Sequence, residues 1–184
     1  RAMTDVVTDD GRITGVVTTN SQQDRRELRA HSVVLGCGGF ESNPQLRKEY
    51  IGDDWDQAKV RGTPHNTGDG LQLALKLGAE AYGFYQGCHA TPMDLHMKDY
   101  GNLDIPHLER KNYRKICYFL GVMINAKGKR FVDEGKDFRN YTYAQFGRAV
   151  LEQPGHFAWQ VFDSKVDDLL YGEYRFHDAH FVEA

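Results

Sequence analysis

The stretch Arg61–Gly70, with the sequence RGTPHNTGDG, constrains the fold more than any other part of the chain. It contains three glycines and a proline, and it leads directly into Leu71–Gly78, where apolar residues recur at helical spacing. Because the first turn of a helix has unpaired N–H groups, a helix that begins at the end of this loop favours an anionic ligand such as phosphate. The alternative is that Thr67 or Asp69 only caps the helix, and this segment alone favours that interpretation.

The composition is that of an ordinary soluble globular protein. The chain has 184 residues, enough for one domain or two small lobes with a buried core, and 40% of them are hydrophobic and 27% charged. The formal net charge of −3 excludes the basic surface that is typical of nucleic-acid-binding proteins. No apolar run approaches the roughly 20 residues that span a bilayer. We therefore expect neither a nucleic-acid partner nor direct membrane insertion.

The cysteines and histidines predict no metal site. Cys37, Cys88 and Cys117 are widely spaced and odd in number, a pattern typical of neither a zinc site nor a disulfide framework. This use of cysteine favours a reducing compartment, and we expect a cytoplasmic protein in which Cys37 is an inert core thiol. His177 and His180 could share a helix face, but the sequence offers no third ligand nearby, so we interpret them as surface histidines.

The N-terminal part predicts a hairpin followed by a buried strand that ends in glycines. Val6–Thr8 and Ile13–Thr18 are β-branched runs on either side of the turn sequence DDG, which is typical of a hairpin. Asn20–Arg29 is polar and charged, and we interpret it as a solvated turn. Ser32–Leu35 is apolar without alternation, as in a parallel strand covered on both faces, and it ends at Gly36–Gly39. Glycines at the carboxyl end of such a strand lie where open α/β sheets bind ligands.

The rest of the chain predicts helices and strands joined by one long loop. A helix begins at Pro44 after a capping Ser42 or Asn43 and ends near Gly52. Met93–Arg114 is long, polar and weakly periodic, which favours a lid or a binding loop. The remaining predicted elements are strands at Ile116–Asn125, Arg130–Val132 and Phe157–Phe162, a helix over Asn140–Leu151, and a last helix from Asp163 through Leu170.

Four segments carry a family resemblance through their order and spacing. They are SVVLGCGGFESNPQL at 32–46, TGDGLQLALKLGA at 67–79, CHATP at 88–92 and GVMINAKGKRFVDE at 121–134. Together they resemble the flavoprotein family of fumarate reductases, succinate dehydrogenases and 3-ketosteroid dehydrogenases. AKVRGTPHNTGDG at 58–70 and FVDEGKDFRNYTYA at 131–144 look closest to the FAD-dependent tricarballylate dehydrogenase branch. The resemblance covers nearly the whole chain but only the middle of the family's full length.

The resemblance implies an α+β fold class with two domains. Residues 1–88 would form an inner segment of an α/β FAD-binding domain, with the hairpin, the glycine-ended strand, the TGDG loop and its helix. Residues 89–184 would form the α+β capping domain that covers the substrate. The family's dinucleotide-binding fingerprint would lie before Arg1, so we expect an internal fragment. FAD is the expected cofactor of the full-length protein, and we expect the fragment alone to be colourless and inactive.

The resemblance also implies which residues contact the cofactor. Gly38 and Gly39 would let the main chain approach the flavin, and Asp69 and Gly70 of the TGDG loop would lie beside it. The alternative for the two strand-end glycines is a tight turn, and the alternative for Asp69 is helix capping.

Three residues of the second part are candidates for the substrate site by the same resemblance. His89, which precedes Ala-Thr-Pro, would be catalytic and would bind a substrate carboxylate together with Thr91, although a lone histidine is more often structural. Arg139 would be a catalytic acid or base, as in the fumarate-reducing members, or a bidentate clamp on a carboxylate. The alternative for Arg139 is a surface arginine.

Other charged residues near these candidates have more than one interpretation. The basic cluster within residues 110–115 either receives a tricarboxylate or forms a solvated lid surface. Glu134 is expected to orient the loop before Arg139, and Lys129 and Arg130 are interpreted as surface charges.

The resemblance favours an FAD-dependent dehydrogenase or reductase that acts on the CH–CH groups of a small carboxylic acid. The favoured reaction is oxidation of tricarballylate to cis-aconitate, with an electron acceptor or a membrane oxidase downstream of the flavin. A 3-ketosteroid- or urocanate-type flavoenzyme is an alternative, because such sites use tyrosines and the chain offers Tyr82, Tyr85, Tyr141 and Tyr143. An alternative of another class is a stand-alone small-molecule-binding module without redox activity.

Overall fold

A computed structural model of the protein describes residues 2–174, which separate into two units. Unit 1 contains the residues up to Arg47 together with Pro64–Phe84, and unit 2 contains Lys48–Thr63 together with the residues from Tyr85 onward. A three-stranded sheet lies in unit 1 and a two-stranded sheet in unit 2. The functional division at residue 88 into an FAD-binding part and a capping part stays a prediction.

The hairpin predicted at the start of unit 1 is confirmed. Strand β1 (Ala2–Asp9) pairs antiparallel with strand β2 (Arg12–Thr19). Asp10 and Gly11 connect them with φ angles of 45° and 73°, and positive φ at both positions is the backbone of a type I′ hairpin turn. Val17 of β2 is only 2% exposed, so the β-branched pattern of this strand supplies a buried face.

The polar segment after the hairpin is not the solvated turn that its composition predicts. Its second half forms strand β3 (Arg25–Arg29), which pairs antiparallel with β2 and places Arg25 opposite Thr19. All five residues of β3 are exposed. The prediction was wrong because main-chain pairing to β2 holds this strand, whereas its charged side chains give no apolar pattern and are typical of a protected sheet edge.

The buried parallel strand predicted at Ser32–Leu35 is absent from the structure. The segment has no regular secondary structure, and Val34 is 93% exposed. Within residues 2–174 every paired strand is antiparallel, and none of them pairs with this segment. Cys37 is exposed, so the prediction of an inert core thiol is also wrong.

Two helices form where the sequence predicts them. Helix α1 (Pro44–Tyr50) begins at the proline, and the Oδ1 atom of Asn43 accepts a hydrogen bond from the main-chain N of Leu46 at 3.1 Å. This contact caps the helix, as Asn and a first-turn Pro together predict. Helix α2 (Asp69–Lys76) follows the glycine-rich loop.

Unit 2 is built around one helix and a two-stranded sheet. Helix α3 (Arg139–Leu151) and strand β5 (Ala158–Phe162) occupy the predicted positions. Strand β4 (Gly121–Asn125) pairs antiparallel with β5. Between them lies a core cluster whose buried members are Ile116, Tyr118, Met123 and Phe146.

Two strand predictions in unit 2 are wrong in part or in full. The predicted strand Ile116–Asn125 is shorter, because Tyr118–Leu120 forms a 3-10 turn before β4, and a buried apolar run does not distinguish a strand from a packed turn. Arg130–Val132 is not a strand. Arg130 makes only an isolated bridge to Ile124, since β4 takes β5 as its extended partner.

The long segment Met93–Arg114 contains no α-helix and no extended strand, as predicted, but it is tied to the rest of unit 2. Met93 and Arg114 form an isolated antiparallel bridge that closes the loop. The Lys59 ammonium donates hydrogen bonds to the carbonyls of Leu95 and Met97, both at 2.8 Å. A role as a lid or binding loop stays a prediction.

The last predicted helix is a 3-10 helix, Ser164–Leu169, and the carboxylate of Asp163 caps it by accepting a hydrogen bond from the main-chain N of Lys165 at 2.9 Å. His177 and His180 lie outside the described residues. Over residues 2–174, no helix combines the length and apolar content needed to cross a bilayer.

Candidate functional site

The glycine segment that follows Leu35 and the glycine-rich loop lie against each other in unit 1. The main-chain N of Ser42 donates to the carbonyl of Asn66 at 2.9 Å, and the side-chain amide of Asn43 donates to the carbonyl of Thr67 at 3.0 Å. Asn66 also donates a side-chain hydrogen bond to the carboxylate of Glu41. The structure therefore brings together the two segments that were predicted to contact a cofactor.

Two glycines in these segments lie close to atoms of the facing segment. Gly38 has a φ of 76°, and a Cβ atom placed on it would lie 2.7 Å from the Oδ1 atom of Asn66. A Cβ atom on Gly70 would lie 2.0 Å from the Sγ atom of Cys37. Gly39 is less constrained, since its Cβ atom would meet only the Glu41 carboxylate at 3.1 Å. The tight-turn interpretation of Gly38 is therefore supported by its backbone.

Asp69 is the first residue of α2, and its side chain is exposed. The hydroxyl of Thr67 donates a hydrogen bond to its carboxylate at 2.9 Å. The N-cap residue is Gly68, with a φ of 83°, and no side chain caps the helix. The interpretation that Thr67 or Asp69 only caps the helix is therefore wrong, and the carboxylate of Asp69 is presented at the surface of unit 1.

These features fit a flat cofactor that approaches the main chain. Gly36–Gly39 is exposed throughout, and a Cβ atom on Gly36 would meet no atom within 4 Å. Missing side chains and open space on one side of a backbone allow a planar group to lie against it. Gly38, Gly39 and Asp69 are exposed and could contact such a group, whereas Gly70, the fourth predicted contact, is buried against the Cys37 side chain.

Unit 2 brings the segment around His89 onto helix α3. The main-chain N of Ala90 donates to the carbonyl of Ala144 at 3.1 Å, and the main-chain N of Gly147 donates to the carbonyl of Ala90 at 3.0 Å. A Cβ atom on Gly147 would lie 2.3 Å from the carbonyl carbon of Ala90 and 2.6 Å from the N of Thr91. Only a glycine at this position of α3 allows the segment to approach so closely.

His89 is exposed and contacts a tyrosine of α3. Its Nε2 atom lies 3.0 Å from the hydroxyl of Tyr143, within hydrogen-bonding distance, and the two rings meet edge to face with their centroids 5.1 Å apart. Thr91 is half-buried, and its hydroxyl donates to the Sδ atom of Met93 at 3.3 Å. Sulfur is a weak hydrogen-bond acceptor, so the Thr91 hydroxyl can leave Met93 and donate to a stronger acceptor.

Arg139 begins α3 and lies between two aromatic rings. Its Cζ atom is 5.9 Å from the ring centroid of Tyr143 and 5.6 Å from that of Tyr171. The side chain is half-buried, and none of the ion pairs within residues 2–174 involves it. His89 and Arg139, which the sequence predicted to share one site, therefore both contact Tyr143.

A buried pair of hydroxyls supports the first turn of α3. The hydroxyls of Tyr118 and Thr142 lie 2.6 Å apart, with Tyr118 fully buried and Thr142 2% exposed. Burial raises the pKa of Tyr118, although its hydrogen bond with Thr142 and the positive charge of Arg139 act in the opposite direction. The phenol therefore stays neutral and also donates to the carbonyl of Arg139 at 3.4 Å.

The basic residues at 110–115 are used inside unit 2. Arg114 pairs with Glu173 at 3.0 Å, and Lys115 pairs with Asp94 at 3.3 Å. Arg110 donates two hydrogen bonds to main-chain carbonyls. These contacts show a structural use for Arg110, Arg114 and Lys115 within unit 2, and binding of a tricarboxylate by the cluster stays a prediction.

Glu134 forms a buried ion pair close to α3. It is 3% exposed and accepts hydrogen bonds from the main-chain N of Met123 and from the Arg130 guanidinium. Burial acts to raise the pKa of Glu134, but these hydrogen bonds and the charge of Arg130 together lower it. Arg130 is therefore more than the surface charge predicted for it.

Sequence reasoning missed the two residues that organise the unit 2 site. Tyr143 was named only among tyrosines that suit a steroid site, and Gly147 was only one position within the helix predicted over Asn140–Leu151. A glycine inside a helical pattern costs about 1 kcal/mol relative to alanine, so its presence signals a close approach of another segment. No comparable sequence signal marks Tyr143.

Across residues 2–174, no group of three or more potential metal ligands comes together.

Comparison with known families identifies the chain with redox proteins. Residues 1–168 match the profile of a family described as FAD binding domain. A 3-oxosteroid 1-dehydrogenase of Mycolicibacterium smegmatis is 31% identical over 180 residues, which cover 91% of this chain and 29% of that protein. A probable fumarate reductase of Shewanella frigidimarina is 28% identical over 162 residues, covering 88% of this chain and 24% of the relative. The chain thus spans less than a third of these proteins.

Solved structures of similar proteins agree with the sequence comparison. The complex of a 3-ketosteroid Δ1-dehydrogenase from Sterolibacterium denitrificans with 1,4-androstadiene-3,17-dione superposes with a TM-score of 0.64 at 29% identity, over 89% of this chain and 28% of that one. The open conformation of a flavocytochrome c3 fumarate reductase gives a TM-score of 0.65 at 25% identity, over 91% of this chain and 27% of that one. The mixed helix and sheet fold is therefore that of fumarate reductase-like flavoproteins.

Proposed function

This chain belongs to the family of FAD-binding domains, and from that premise we propose that it serves an FAD-dependent oxidoreductase. The reaction is the removal or addition of two hydrogens across a C–C bond next to a carboxylate. Bound FAD would supply the two-electron redox chemistry, and the protein would supply orientation and charge. Gly38, Gly39 and Asp69 would contact the cofactor in unit 1, because their main chain and carboxylate are exposed, whereas the contact predicted for Gly70 lacks this support, since Gly70 is buried.

One observation carries the assignment of a carboxylic acid substrate. The guanidinium of Arg139 is half-buried between two tyrosine rings and pairs with no acidic side chain in the described part of the chain. A partly desolvated guanidinium without a counter-ion favours an anionic ligand, and its planar fork matches the two oxygens of a carboxylate.

His89 and Thr91 would complete the substrate site. An imidazole that is exposed beside a hydroxyl can bind a second carboxylate in its protonated form. The Thr91 hydroxyl can turn from the Met93 sulfur to a ligand oxygen, which is the stronger acceptor.

Between the two roles considered for Arg139, the clamp is better supported than the acid or base. A guanidinium holds its proton firmly and exchanges it only where a neighbouring carboxylate makes that proton mobile. Within residues 2–174 no carboxylate pairs with Arg139, whereas bidentate binding of a substrate needs only its free N–H donors.

The favoured substrate within this class is tricarballylate, oxidised to cis-aconitate. The segments at 58–70 and 131–144 that suggested it contain the glycine-rich loop and the start of α3, and both lie at candidate sites. Two relatives named for unsaturated carboxylic acids, a probable fumarate reductase and an NADH:acrylate oxidoreductase, support the broader class. An electron acceptor or membrane oxidase would reoxidise the cofactor.

A second candidate is a 3-ketosteroid dehydrogenase. It is favoured by the relatives named 3-oxosteroid 1-dehydrogenase and by the two tyrosine rings that flank the site. In that reaction Tyr143 would face an apolar ring system, and Arg139 would have no anionic partner to bind.

Flavin bleaching in the full-length, FAD-loaded protein tests the two candidates. Tricarballylate, succinate and a 3-ketosteroid are mixed in turn with the oxidised protein under anaerobic conditions, and we expect only the carboxylates to bleach it.

Arg139→Lys keeps the charge but loses the planar fork of N–H donors, so kcat/KM for the carboxylate should fall about 10- to 100-fold. Arg26→Lys, on the exposed strand β3, is the matched control and should not change it.

The outcomes separate the alternatives. Bleaching by the steroid alone would replace the carboxylate reaction with the second candidate. Absence of bleaching by either class, with ligand binding retained, would favour a binding module without redox activity.

A further inference from the structure

We infer that Tyr143 is a positioning residue that holds both His89 and Arg139 in the orientation needed to bind one substrate. This inference rests on the proposed carboxylate site in unit 2. It concerns one side chain of α3 that contacts each cation through a different part of its structure, the hydroxyl or the ring.

The hydroxyl of Tyr143 fixes the imidazole. It lies 3.0 Å from Nε2 of His89, and the rings pack edge to face. An exposed imidazole otherwise rotates among several conformers and exchanges its tautomers. A hydrogen bond at Nε2 restricts both, and it leaves Nδ1 as the ring nitrogen for a ligand.

The ring face of Tyr143 supports the guanidinium. Arg139 and Tyr143 are four residues apart on α3, so their side chains lie on one face of the helix. With its Cζ atom 5.9 Å from the Tyr143 ring centroid and 5.6 Å from that of Tyr171, the guanidinium is held by two aromatic faces. Such contacts hold a cation in place without using its N–H donors, which remain available to a ligand.

Tyr143 is itself held by the surrounding structure. It packs against the core cluster, and the residues on both sides of it are anchored, since Thr142 is 2% exposed and the carbonyl of Ala144 accepts from Ala90. The tyrosine therefore transmits the position of an anchored helix to the side chains of His89 and Arg139.

Two substitutions separate the contributions of the hydroxyl and the ring. Tyr143→Phe removes the hydroxyl and keeps the ring face, whereas Tyr143→Leu removes both. Tyr100→Phe is the matched control, because Tyr100 lies in the long loop of the same unit and its hydroxyl makes no hydrogen bond within the described residues. Thermal unfolding confirms that each variant is folded.

The first readout needs no substrate. Nitrogen-15 NMR of the imidazole, assigned by comparison with His89→Gln, reports the tautomer and hydrogen bonding of His89 at a fixed pH. We expect Tyr143→Phe and Tyr143→Leu to shift the Nε2 signal in the same way, and Tyr100→Phe to leave it in place.

The second readout is steady-state kinetics of the full-length, FAD-loaded protein. For Tyr143→Phe we expect the KM for the carboxylate to rise about 2- to 10-fold with kcat nearly unchanged, as for one neutral hydrogen bond. For Tyr143→Leu we expect a further rise of about 2- to 30-fold, as for one lost cation–π contact.

An unchanged Nε2 signal in a folded Tyr143→Phe variant would overturn the inference, and so would equal KM values for the Phe and Leu variants. A shifted signal in a protein that turns over no carboxylate would uphold the positioning of His89 and reject the proposed function instead.

Discussion

Unit 1 and unit 2 each place candidate residues beside a second segment of the chain, but they use different atoms for the contact. In unit 1, a Cβ atom on Gly70 would collide with the Cys37 side chain, which is exposed and can rotate away. In unit 2, a Cβ atom on Gly147 would collide with the main chain at Ala90, which α3 holds by two hydrogen bonds. Glycine is therefore replaceable at position 70 of unit 1 and irreplaceable at position 147 of unit 2.

The strongest test of this difference is Gly147→Ala. The added methyl group would lie 2.3 Å from the carbonyl carbon of Ala90, so either the segment moves or α3 bends. Overpacking costs about 1–3 kcal/mol, more than the roughly 1 kcal/mol that alanine gains in a helix. We expect a net loss of stability in urea unfolding and a shift of the His89 imidazole signals.

Gly172→Ala is the control for this experiment, because a Cβ atom there meets nothing within 4 Å. It should leave the free energy of unfolding and the imidazole signals unchanged. A Gly147→Ala variant as stable as the parent, with unshifted His89 signals, would show that the segment at 88–92 is not held as described.

The next largest effect concerns a buried carboxylate of unit 2. Glu134→Gln removes a charge that is 3% exposed and bonded to Arg130 and Met123, so we expect a loss of about 1–2 kcal/mol near neutral pH. Because the pKa of Glu134 is lowered in the folded state, its contribution is complete above the ordinary glutamate pKa of about 4.3 and is lost as the pH falls through the folded-state pKa.

Urea unfolding of the parent and Glu134→Gln at several pH values measures this contribution. The stability difference should be present at about pH 7 and vanish in strong acid. Glu41→Gln in unit 1 is the control, since Glu41 is exposed although it also accepts a side-chain hydrogen bond. Its effect should stay within about 0.5 kcal/mol. A pH-independent difference for Glu134→Gln would contradict the ionised pair.

The smallest effect is expected at Gly70. Gly70→Ala should cost about 1 kcal/mol, because the obstacle is a mobile Sγ atom and not main chain. In a Cys37→Ala background the nearest atom becomes the residue 37 Cβ at 3.6 Å, an ordinary contact. Gly70→Ala should then be neutral or stabilising, as alanine favours a helix. A double-mutant cycle with no coupling between the two positions would contradict this account.

Regular periodicity was enough to predict the elements that bury one face. Helix α3 and strand β2 have apolar residues at the right spacing, and the DDG turn fixes the first hairpin. The strand prediction at Ser32–Leu35 failed because the sequence pattern does not show whether a partner strand is present. The residues of this segment have strand propensity, but a strand forms only where a partner offers main-chain groups, and local sequence does not report the partner. The charged strand β3 was missed because pairing alone holds it.

The sequence identified individual residues of the candidate site but not how they contact one another. His89 and Arg139 were singled out by resemblance, yet the contact of His89 with Tyr143, which brings it to the residue that also contacts Arg139, depends on a main-chain approach of Ala90 to α3. That approach joins residues more than fifty positions apart, which no local pattern encodes. Gly147 was the available signal, since glycine within a helix is costly unless something needs the space. The assigned roles of the site residues stay predictions.

The ring of Tyr171 beside Arg139 connects the candidate site to the interior of unit 2. Tyr171 packs against the core cluster, and its main-chain N donates a hydrogen bond to the Sγ atom of the buried Cys117 at 3.4 Å. The guanidinium is therefore supported by a residue whose backbone is anchored in the interior. A substitution at Cys117 would consequently reach the arginine from inside the protein, without a change to any exposed residue.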